Sequence, residues 1–370
     1  MKKIGLIVNP VAGIGGTVAL KGSNGELSRK AKSCGGVSPA PRRTLETLQE
    51  IACANIDFVM LTYPCAMGEN EAVECGYHPT VLGQIPGETT AEDTKRAVKD
   101  VIKHGAEMIL FAGGDGTALD ILKVVEDKFP VLGIPAGVKM HSGIFAINPK
   151  LAGRLCVSFL KGQTGTKKME VVDYDREGNL KLFGYVLVPY DQDIIQGAKS
   201  YVPAEEGDEQ AIATEIIDSI SDDYAYIIGP GMTAKSIMQS LGLPYTLLGV
   251  DVIRNRHLLI QDANENQLLS VVEQYPSKIL LGIVGGQGFL LGRGNQQISP
   301  CVIRRVGKAN LIVVATEQKI RSLRGRPLLV DTGDGELDQD LMGYIKITTG
   351  YRRSAICRVS KSRELHNGFY

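Results

Sequence analysis

The segment Gly113–Thr117, which reads Gly-Gly-Asp-Gly-Thr, has the clearest chemical meaning in this sequence. It directly follows the apolar run Met108–Ala112, which we predict to be a buried strand. Consecutive glycines let backbone N–H groups approach a ligand closely. A helix that begins here would also point its positive end at the same place, which favours phosphate. The segment therefore predicts a phosphate-binding turn for a nucleotide.

Asp115 is the residue of this turn that phosphate binding alone does not explain. A carboxylate beside bound phosphates is repelled, unless it holds a metal ion or takes a proton from an attacking hydroxyl. The alternative is that Asp115 only caps the following helix. The complete motif after a buried strand favours the chemical role.

A second glycine-bearing turn, Asn9–Gly16, follows the first predicted strand, Ile4–Val8. It is neither a Walker A loop nor a Gly-x-Gly-x-x-Gly turn. The side-chain amide of Asn9 could donate a hydrogen bond to a phosphate oxygen, and the glycines leave the backbone bare. A glycine-rich surface loop is the alternative.

A third turn, Gly133–Gly143, follows the predicted strand Val131–Ile134. It supplies a cation, an imidazole and a hydroxyl in Lys139, His141 and Ser142, although a lone histidine is also a common structural residue. Because the carboxyl ends of parallel strands meet at one edge of a sheet, we expect all three turns to lie together.

The second half carries three further candidate segments. Gly229–Lys235 is again a strand-glycine-helix turn, and Asp251 ends a predicted strand, where a carboxylate could hold ribose hydroxyls. Gly285–Gln297 is dense in glycine and planar amides, and with Arg293 it could hydrogen-bond a nucleobase, a carboxamide or a phosphate. A solvated loop is the alternative for this last segment.

Alternating strands and helices are needed to position these turns. In the first half, the predicted strands are Ile4–Val8, Asp57–Thr62, Met108–Ala112 and Val131–Ile134, and the predicted helices are Arg42–Ala54, Thr90–His104 and Gly116–Val125. Gly15–Pro41 has no clear period and reads as a long functional loop. Met169–Pro189 predicts a hairpin, with its turn at 177–179. From about residue 205 the alternation returns, with strands at 225–228, 246–250, 278–283, 309–315, 344–349 and 352–358 and helices at 209–220, 233–241 and 266–275.

Composition excludes several classes of function. The chain has 370 residues, 41 basic and 41 acidic, and no Trp, which argues against a nucleic-acid surface. The N-terminal apolar run is too short for a signal peptide, and no segment approaches the roughly 18 apolar residues of a membrane span. The seven cysteines include no Cys-x-x-Cys pair, so we expect a reducing, cytoplasmic location.

The length and the alternating pattern predict an α/β fold with two domains. We expect an N-terminal nucleotide-binding domain at residues 1–160, with a Rossmann-like parallel sheet, and a second α/β domain at 161–360. The last strands could return to the first domain, and 361–370 reads as a frayed tail. The expected partners are small-molecule nucleotides, with no nucleic acid or membrane, and the chain is expected to form a homo-oligomer.

Gly113–Thr117 after an apolar strand, with Asn9–Gly13 after the first strand, resembles the ATP-NAD kinase superfamily, which includes diacylglycerol and sphingosine kinases and relatives of 6-phosphofructokinase. The pattern is most similar to the predicted ATP-NAD kinase branch related to the acetoin-catabolism protein AcoX. The similarity runs from residue 1 to about 358, through the segments Gly15-Gly16, Leu20–Gly22, Gly133–Pro149, Gly229–Lys235, Gly285–Pro300 and Val330–Gly335.

The resemblance implies a sheet of the NAD kinase and diacylglycerol kinase type. It also implies transfer of a phosphoryl group from ATP, with Mg²⁺, to the 2′-hydroxyl of the adenosine ribose of NAD, which gives NADP. Asp115 would be the base or would orient that hydroxyl. Residues and resemblance together place the following at the nucleotide site: Asn9, Gly13, Gly15, Gly16, Gly113, Gly114, Gly116, Thr117, Lys139, His141, Ser142, Gly229, Gly231, Asp251, Gly285, Gly286, Gln287, Arg293 and Asn295.

The sequence departs from this family in one respect. Well-characterised NAD kinases continue with an all-β domain that carries a Thr-Gly-Ser-Thr-Ala-Tyr-like string, and this sequence has none, since residues 205–330 read as α/β. NAD-selecting residues therefore cannot be assigned by resemblance. Two alternatives stay open: a kinase of another small alcohol, such as a lipid or a sugar, and a nucleotide-binding accessory protein without catalysis.

Overall fold

The computed structural model describes residues 1–20, 25–138, 140–174, 180–191, 194–196, 207–284 and 287–361. The chain divides into two compact units. The first comprises residues 1–15, 22–33 and 37–198, and the second comprises 16–21, 34–36 and 199–370.

Strands and helices alternate through most of the chain, as predicted. The strands are β1 (Lys3–Val8), β2 (Val59–Thr62), β3 (Thr80–Val81), β4 (Met108–Gly113), β5 (Val131–Pro135), β6 (Thr166–Tyr174), β7 (Leu180–Pro189), β8 (Ala225–Ile228), β9 (Asp251–Arg254), β10 (His257–Ile260), β11 (Ser277–Gly282), β12 (Phe289–Leu291), β13 (Leu311–Val314), β14 (Leu328–Val330), β15 (Gly343–Gly350) and β16 (Arg353–Lys361). The helices are α1 (Gly25–Ser33), α2 (Ala40–Cys53), α3 (Glu69–Glu74), α4 (Ala91–Lys103), α5 (Asp115–Val125), α6 (Pro149–Leu160), α7 (Asp208–Asp218), α8 (Met232–Ser240), α9 (Glu265–Gln274), α10 (Pro300–Val306), α11 (Glu317–Ser322) and α12 (Gly335–Leu341).

The first unit is built on a five-stranded sheet in the order β3-β2-β1-β4-β5. All of its pairs are parallel. Strand β4 is buried along its whole length, as its continuous apolar run predicts. A side chain at Gly5 in β1 would come within 2.8 Å of Val101 in α4, so this glycine allows the helix to pack closely on the sheet. The predicted Rossmann-like sheet is therefore confirmed.

Strands β6 and β7 form the predicted antiparallel hairpin, a two-stranded sheet of its own. The predicted turn residues 177–179 lie outside the described residues. The hairpin belongs to the first unit, where a Cβ on Gly184 would lie 3.1 Å from the side chain of Leu122 in α5. The first unit therefore extends to residue 198, beyond the expected boundary at 160, because the hairpin packs on α5.

The second unit contains a nine-stranded mixed sheet, in the order β10-β9-β8-β11-β13-β15-β16-β14-β12. Its two faces carry separate apolar clusters, one that includes Ile227 and Leu281 and another that includes Ile228 and Leu280. This alternation is typical of strands that are covered on both faces. The predicted α/β character of the second half is confirmed, and the last two strands lie within this sheet.

Strand direction changes inside this sheet and creates two different edges. Strands β8, β11, β13 and β15 run parallel to one another. Strand β16 pairs antiparallel with β15, and β14 and β12 follow the direction of β16. The carboxyl ends of β12 and β14 consequently lie at the edge opposite to the carboxyl ends of β8 and β11.

Some predicted elements were wrong. Gly15–Pro41 is not one long loop, since it contains α1 and the start of α2. The predicted strand at 246–250 is a turn, and Asp251 begins β9 instead of ending a strand. None of the helices in the described part of the chain has the length and apolar character needed to cross a membrane.

Candidate functional site

The three glycine-bearing turns of the first unit meet at one edge of the five-stranded sheet, as predicted. They follow β1, β4 and β5, which are neighbours in the sheet. The backbone N–H of Asn9 donates to Ala112 O at 3.0 Å, and that of Ala136 donates to Gly113 O at 3.0 Å. Gly13 has φ +74° and passes so close to Ala136 that a Cβ would lie 2.2 Å from its carbonyl oxygen. The glycine at position 13 is therefore needed for two of the turns to touch.

Asn9 joins the first turn to the Gly113–Thr117 turn through its side chain. Its Nδ2 donates to Thr117 Oγ1 at 2.9 Å, and its Oδ1 accepts from the backbone N–H of Val11 at 3.2 Å. An amide nitrogen carries two hydrogens. Asn9 can therefore hold the turn together and still donate to a phosphate oxygen.

Asp115 is the first residue of α5 and is 5% exposed. Its Oδ2 accepts the backbone N–H of His141 at 2.7 Å. Its Oδ1 accepts the backbone N–H of Ser142 at 3.0 Å and lies 2.6 Å from the hydroxyl of Ser142. The N-cap position is Gly114, without a side-chain cap. The interpretation of Asp115 as a helix cap is therefore wrong, because its carboxylate is bound by the third turn instead.

Burial is the main influence on the pKa of Asp115, and it raises that pKa from 3.8 to about 7. The hydrogen bonds from His141 and Ser142 favour the charged carboxylate and oppose this rise, whereas the nearby charge of Asp173 adds to it. A carboxyl group with a pKa close to neutral can accept a proton from a substrate hydroxyl and release it again.

Ser142 connects Asp115 to the hairpin. Its hydroxyl oxygen accepts the backbone N–H of Val172 at 3.0 Å and also lies 3.0 Å from Val172 O. Gln196, 2% exposed, donates through Nε2 to Ser142 O at 3.0 Å. Ser142 is fully buried, so the structure uses its side chain to orient the Asp115 carboxylate, where the sequence predicted a contact with the nucleotide.

His141 is also buried, at 7% exposure, and its ring meets the ring of Tyr174 edge-on with centroids 5.3 Å apart. The third candidate in this turn, Lys139, lies outside the described residues.

The first turn of α5 leaves open space beside Gly116. No atom lies within 4 Å of a Cβ built at this exposed residue, whereas a Cβ at Gly113 would lie 2.6 Å from Thr117. Gly113 is therefore needed for internal packing, and Gly116 leaves the helix N-terminus accessible. Gly15 and Gly16 are buried farther along the turn-rich segment after β1.

In the second unit, the predicted residues are distributed over both edges of the nine-stranded sheet. Gly229 and Gly231 follow β8, and Gly231 has φ +103°, which favours glycine. Gln287 precedes β12 at this same edge and is 8% exposed. Gly285 and Gly286 lie outside the described residues.

Asp251 lies opposite Ile228 at this edge but is fully buried in an ion pair. Its Oδ2 accepts from Lys235 Nζ at 2.6 Å and from the backbone N–H of Thr246 at 2.8 Å, and its Oδ1 accepts the N–H of Asp262 at 2.9 Å. Both carboxylate oxygens are thus engaged inside the protein. The geometry supports a structural role and gives no support to the predicted contact with ribose.

Arg293 and Asn295 follow β12 and therefore lie at the opposite edge from Gly229. Asn295 accepts the N–H of Gly292 at 2.9 Å and donates to Leu290 O at 2.9 Å, so its side chain shapes the loop itself. The guanidinium of Arg293 lies 4.5 Å from the ring centroid of Phe289. The three candidate segments of the second half are consequently divided between two opposite edges of this sheet.

Three residues near Asp115 were missed by sequence reasoning: Asp173, Tyr174 and Gln196. Burial raises the pKa of both Asp173 and Tyr174, and the charge of Asp115 adds to the rise for Tyr174. The consecutive Asp-Tyr pair at the end of a predicted strand was the available signal for the first two.

The family comparison matches both halves of the chain. Residues 4–164 match the ATP-NAD kinase N-terminal domain, and residues 221–359 match the ATP-NAD kinase C-terminal domain. The chain belongs to the ATP-NAD kinase superfamily. Its domains are those of a phosphotransferase, with the two-domain NAD kinase architecture. A search of curated proteins found no match.

The C-terminal match corrects one expectation from the sequence. The α/β character of residues 205–330 and the missing Thr-Gly-Ser-Thr-Ala-Tyr-like string had suggested that the second half departs from the family. The second half nevertheless matches the family's C-terminal domain. The superfamily membership therefore covers both units.

Proposed function

We propose that this protein transfers the γ-phosphoryl group of ATP to the 2′-hydroxyl of the adenosine ribose of NAD, producing NADP. The observation that carries the proposal is the buried Asp115 carboxylate, with its pKa of about 7, at the edge where the three turns meet. Asp115 would accept the proton of the attacking hydroxyl, or orient that hydroxyl toward the phosphorus.

The nucleotide phosphates would bind at the start of α5. Gly114 and Gly116 offer backbone there, and the helix dipole favours negative charge. Asn9 would donate its second N–H, while Gly113 and Thr117 maintain the shape of the turn. These assignments are supported by the open space beside Gly116.

Mg²⁺ would accompany ATP and neutralise charge that develops on the transferred group. Among the residues that the structure describes, no group of three or more His, Cys, Asp or Glu side chains could hold a metal ion. This fits an ion bound chiefly through substrate phosphates, with one or two carboxylates, as is usual for magnesium. Asp173, whose charge acts on Asp115, would be a carboxylate for that purpose, and Asp115 would stay available to the substrate hydroxyl.

We also propose that the protein works in the cytoplasm, and that it belongs to the AcoX-related branch of the superfamily. The absence of any Cys-x-x-Cys pair and the segments similar to that branch support these two points.

The direct test is to incubate the protein with ATP, Mg²⁺ and NAD and to measure NADP. We expect NADP to accumulate in proportion to the ADP released. If ADP forms only with another alcohol, such as a sugar or a lipid, the acceptor is different. Tight NAD binding without any turnover would instead indicate an accessory protein and would contradict the kinase proposal.

A further inference from the structure

The hairpin β6–β7 carries an unexpected row of exposed apolar side chains. Leu180, Leu182, Phe183 and Tyr185 are 38%, 46%, 40% and 43% exposed. All of them lie within six residues of one strand, β7. Isolated exposed apolar residues are common, but a contiguous group usually marks a binding surface.

The pairing of the hairpin shows which of these side chains share a face. Val172 pairs with Leu182, and Tyr174 pairs with Leu180, in regular antiparallel register beyond a bulge at Val171/Val172. Directly opposite residues, and residues two apart on a strand, point to the same side. Tyr174, Leu180 and Leu182 therefore share one apolar face with the buried Val172, and we call the three side chains other than Val172 the hairpin platform.

The opposite face of the hairpin is already occupied. Gly184 pairs with Val171, and a Cβ on Gly184 would lie 3.1 Å from Leu122 of α5. Val171 is fully buried on that side. The platform is thus the face directed away from α5, and its two leucines are open to solvent.

The platform is continuous with the Asp115 site. The ring of Tyr174 contacts that of His141, whose backbone N–H is bound to Asp115. The main chain of Val172 is hydrogen-bonded to the Ser142 hydroxyl, which lies 2.6 Å from Asp115 Oδ1. A molecule that presents a hydroxyl to Asp115 would therefore have its neighbouring groups beside this surface.

We propose that the hairpin platform binds a planar, weakly polar ring of the phosphoryl acceptor and thereby selects acceptors that carry such a ring. This rests on the proposed function in so far as the ligand is the acceptor of that reaction. An aromatic ring flanked by two leucines offers a flat apolar surface, which suits the π-face of a base or a nicotinamide. Leu180 and Leu182 are specificity residues in this proposal, and they take no part in the chemistry.

The absence of Trp from the chain allows a direct binding test. The Leu182→Trp variant carries a single tryptophan on the platform, and Leu259→Trp, at a position 45% exposed in β10 of the second unit, is the matched control. We expect NAD to quench the emission of the Leu182→Trp protein saturably and that of the control only through light absorption. Equal responses in the two proteins would overturn the proposal, as would quenching by a long-chain alcohol but not by NAD.

A kinetic test uses Leu182→Ser with Leu259→Ser as its control. We expect the KM for NAD to rise about tenfold in Leu182→Ser, the size of one lost apolar contact, while the KM for ATP stays unchanged. NADP formation with an unaltered KM for NAD would refute the platform and leave the proposed function intact. If the unsubstituted protein forms no NADP but NAD still quenches Leu182→Trp, the proposed function is refuted and the binding role of the hairpin platform is retained.

Discussion

A buried carboxylate with three hydrogen-bond donors is costly to build, and Asp115 is such a group. Its donors come from one short segment, His141 and Ser142, which follows a different strand. The hydrogen bonds hold the carboxylate in one orientation, and burial keeps its pKa near neutrality. A proton acceptor needs both a fixed orientation and a pKa near neutrality, whereas a helix cap needs neither.

Asp115→Asn should therefore lower kcat by about 100-fold or more, the usual contribution of a general base. NADP formation and calorimetric binding of ATP should be measured on the same preparation, with ATP affinity largely retained. Because an amide nitrogen would face a backbone N–H donor, a thermal melt is needed to show that the variant is folded. Unchanged turnover in a folded variant would remove Asp115 from its proposed role.

The rate should depend on pH through Asp115. A base acts when deprotonated, so kcat/KM should rise with pH through about 7 and level off above it. Ser142→Ala removes a donor to the charged carboxylate, which raises the pKa further and moves the acid limb to higher pH. The negative charge of Asp173 raises the pKa of Asp115, so Asp173→Asn should lower that pKa and move the acid limb to lower pH. If the acid limb of the kcat/KM profile stays at the same pH in Ser142→Ala, the assignment of Asp115 as the base is contradicted.

At the scale of elements, the β4–α5 turn contains two glycines that are required for different physical reasons. At Gly113 a Cβ would lie 2.6 Å from Thr117, which holds Asn9. At Gly116 a Cβ meets nothing within 4 Å. The first position serves the fold of the turn, and the second faces the space proposed for phosphate.

Gly113→Ala should lower the melting temperature, whereas Gly116→Ala should leave it unchanged or raise it, since alanine favours a helix by about 1 kcal/mol. If phosphate approaches the backbone at Gly116, the same Gly116→Ala variant should bind ATP more weakly. Thermal melts and ATP titrations on both variants separate these effects. Normal ATP affinity in Gly116→Ala would place the phosphates elsewhere.

The buried Lys235–Asp251 pair links α8 to the start of β9 and should matter for stability. Lys235→Met removes the cation that pairs with the buried Asp251 carboxylate, which costs about 3–5 kcal/mol of the free energy of unfolding. The control is Lys123→Met, whose lysine is 53% exposed in its pair with Asp120 and should change that free energy by less than about 1 kcal/mol. Denaturant titration compares the free energies of unfolding of the two variants. An equally small loss in both would show that the buried pair is dispensable.

At the scale of the whole molecule, the second sheet leaves part of one face open. Tyr344 and Ile356, on the paired strands β15 and β16, are 75% and 73% exposed. Ile345 and Cys357 point to the other side, into the core. We propose that the homo-oligomer expected from the sequence forms through this surface.

Ile356→Lys should therefore reduce the molar mass measured by light scattering after size-exclusion chromatography, because a buried unpaired cation opposes association. Leu259→Lys, at an exposed leucine of β10, is the control and should leave the mass unchanged. The same mass in both variants would place the contact elsewhere or indicate a monomer.

The sequence by itself determined the features that depend on near neighbours in the chain. The apolar run at 108–112 and the glycines after it specify a buried strand, a tight turn and a helix start within ten residues. The same reasoning predicted the neighbouring turns at one edge, because parallel strands place their carboxyl ends together. The alternation of strand-like and helix-like apolar patterns along the chain predicted the α/β character of both halves.

Only the tertiary structure decided which groups those residues meet. The partners of Asp115 lie 26 and 27 residues along the chain, and the contact to Val172 comes from a hairpin that packs on α5. The position of Asp251 predicts a ligand contact, but in the structure its carboxylate is paired with Lys235. Arg293 was separated from Gly229 by a reversal of strand direction at β16. Strand order, direction and burial arise from distant pairings, which local residue patterns do not encode.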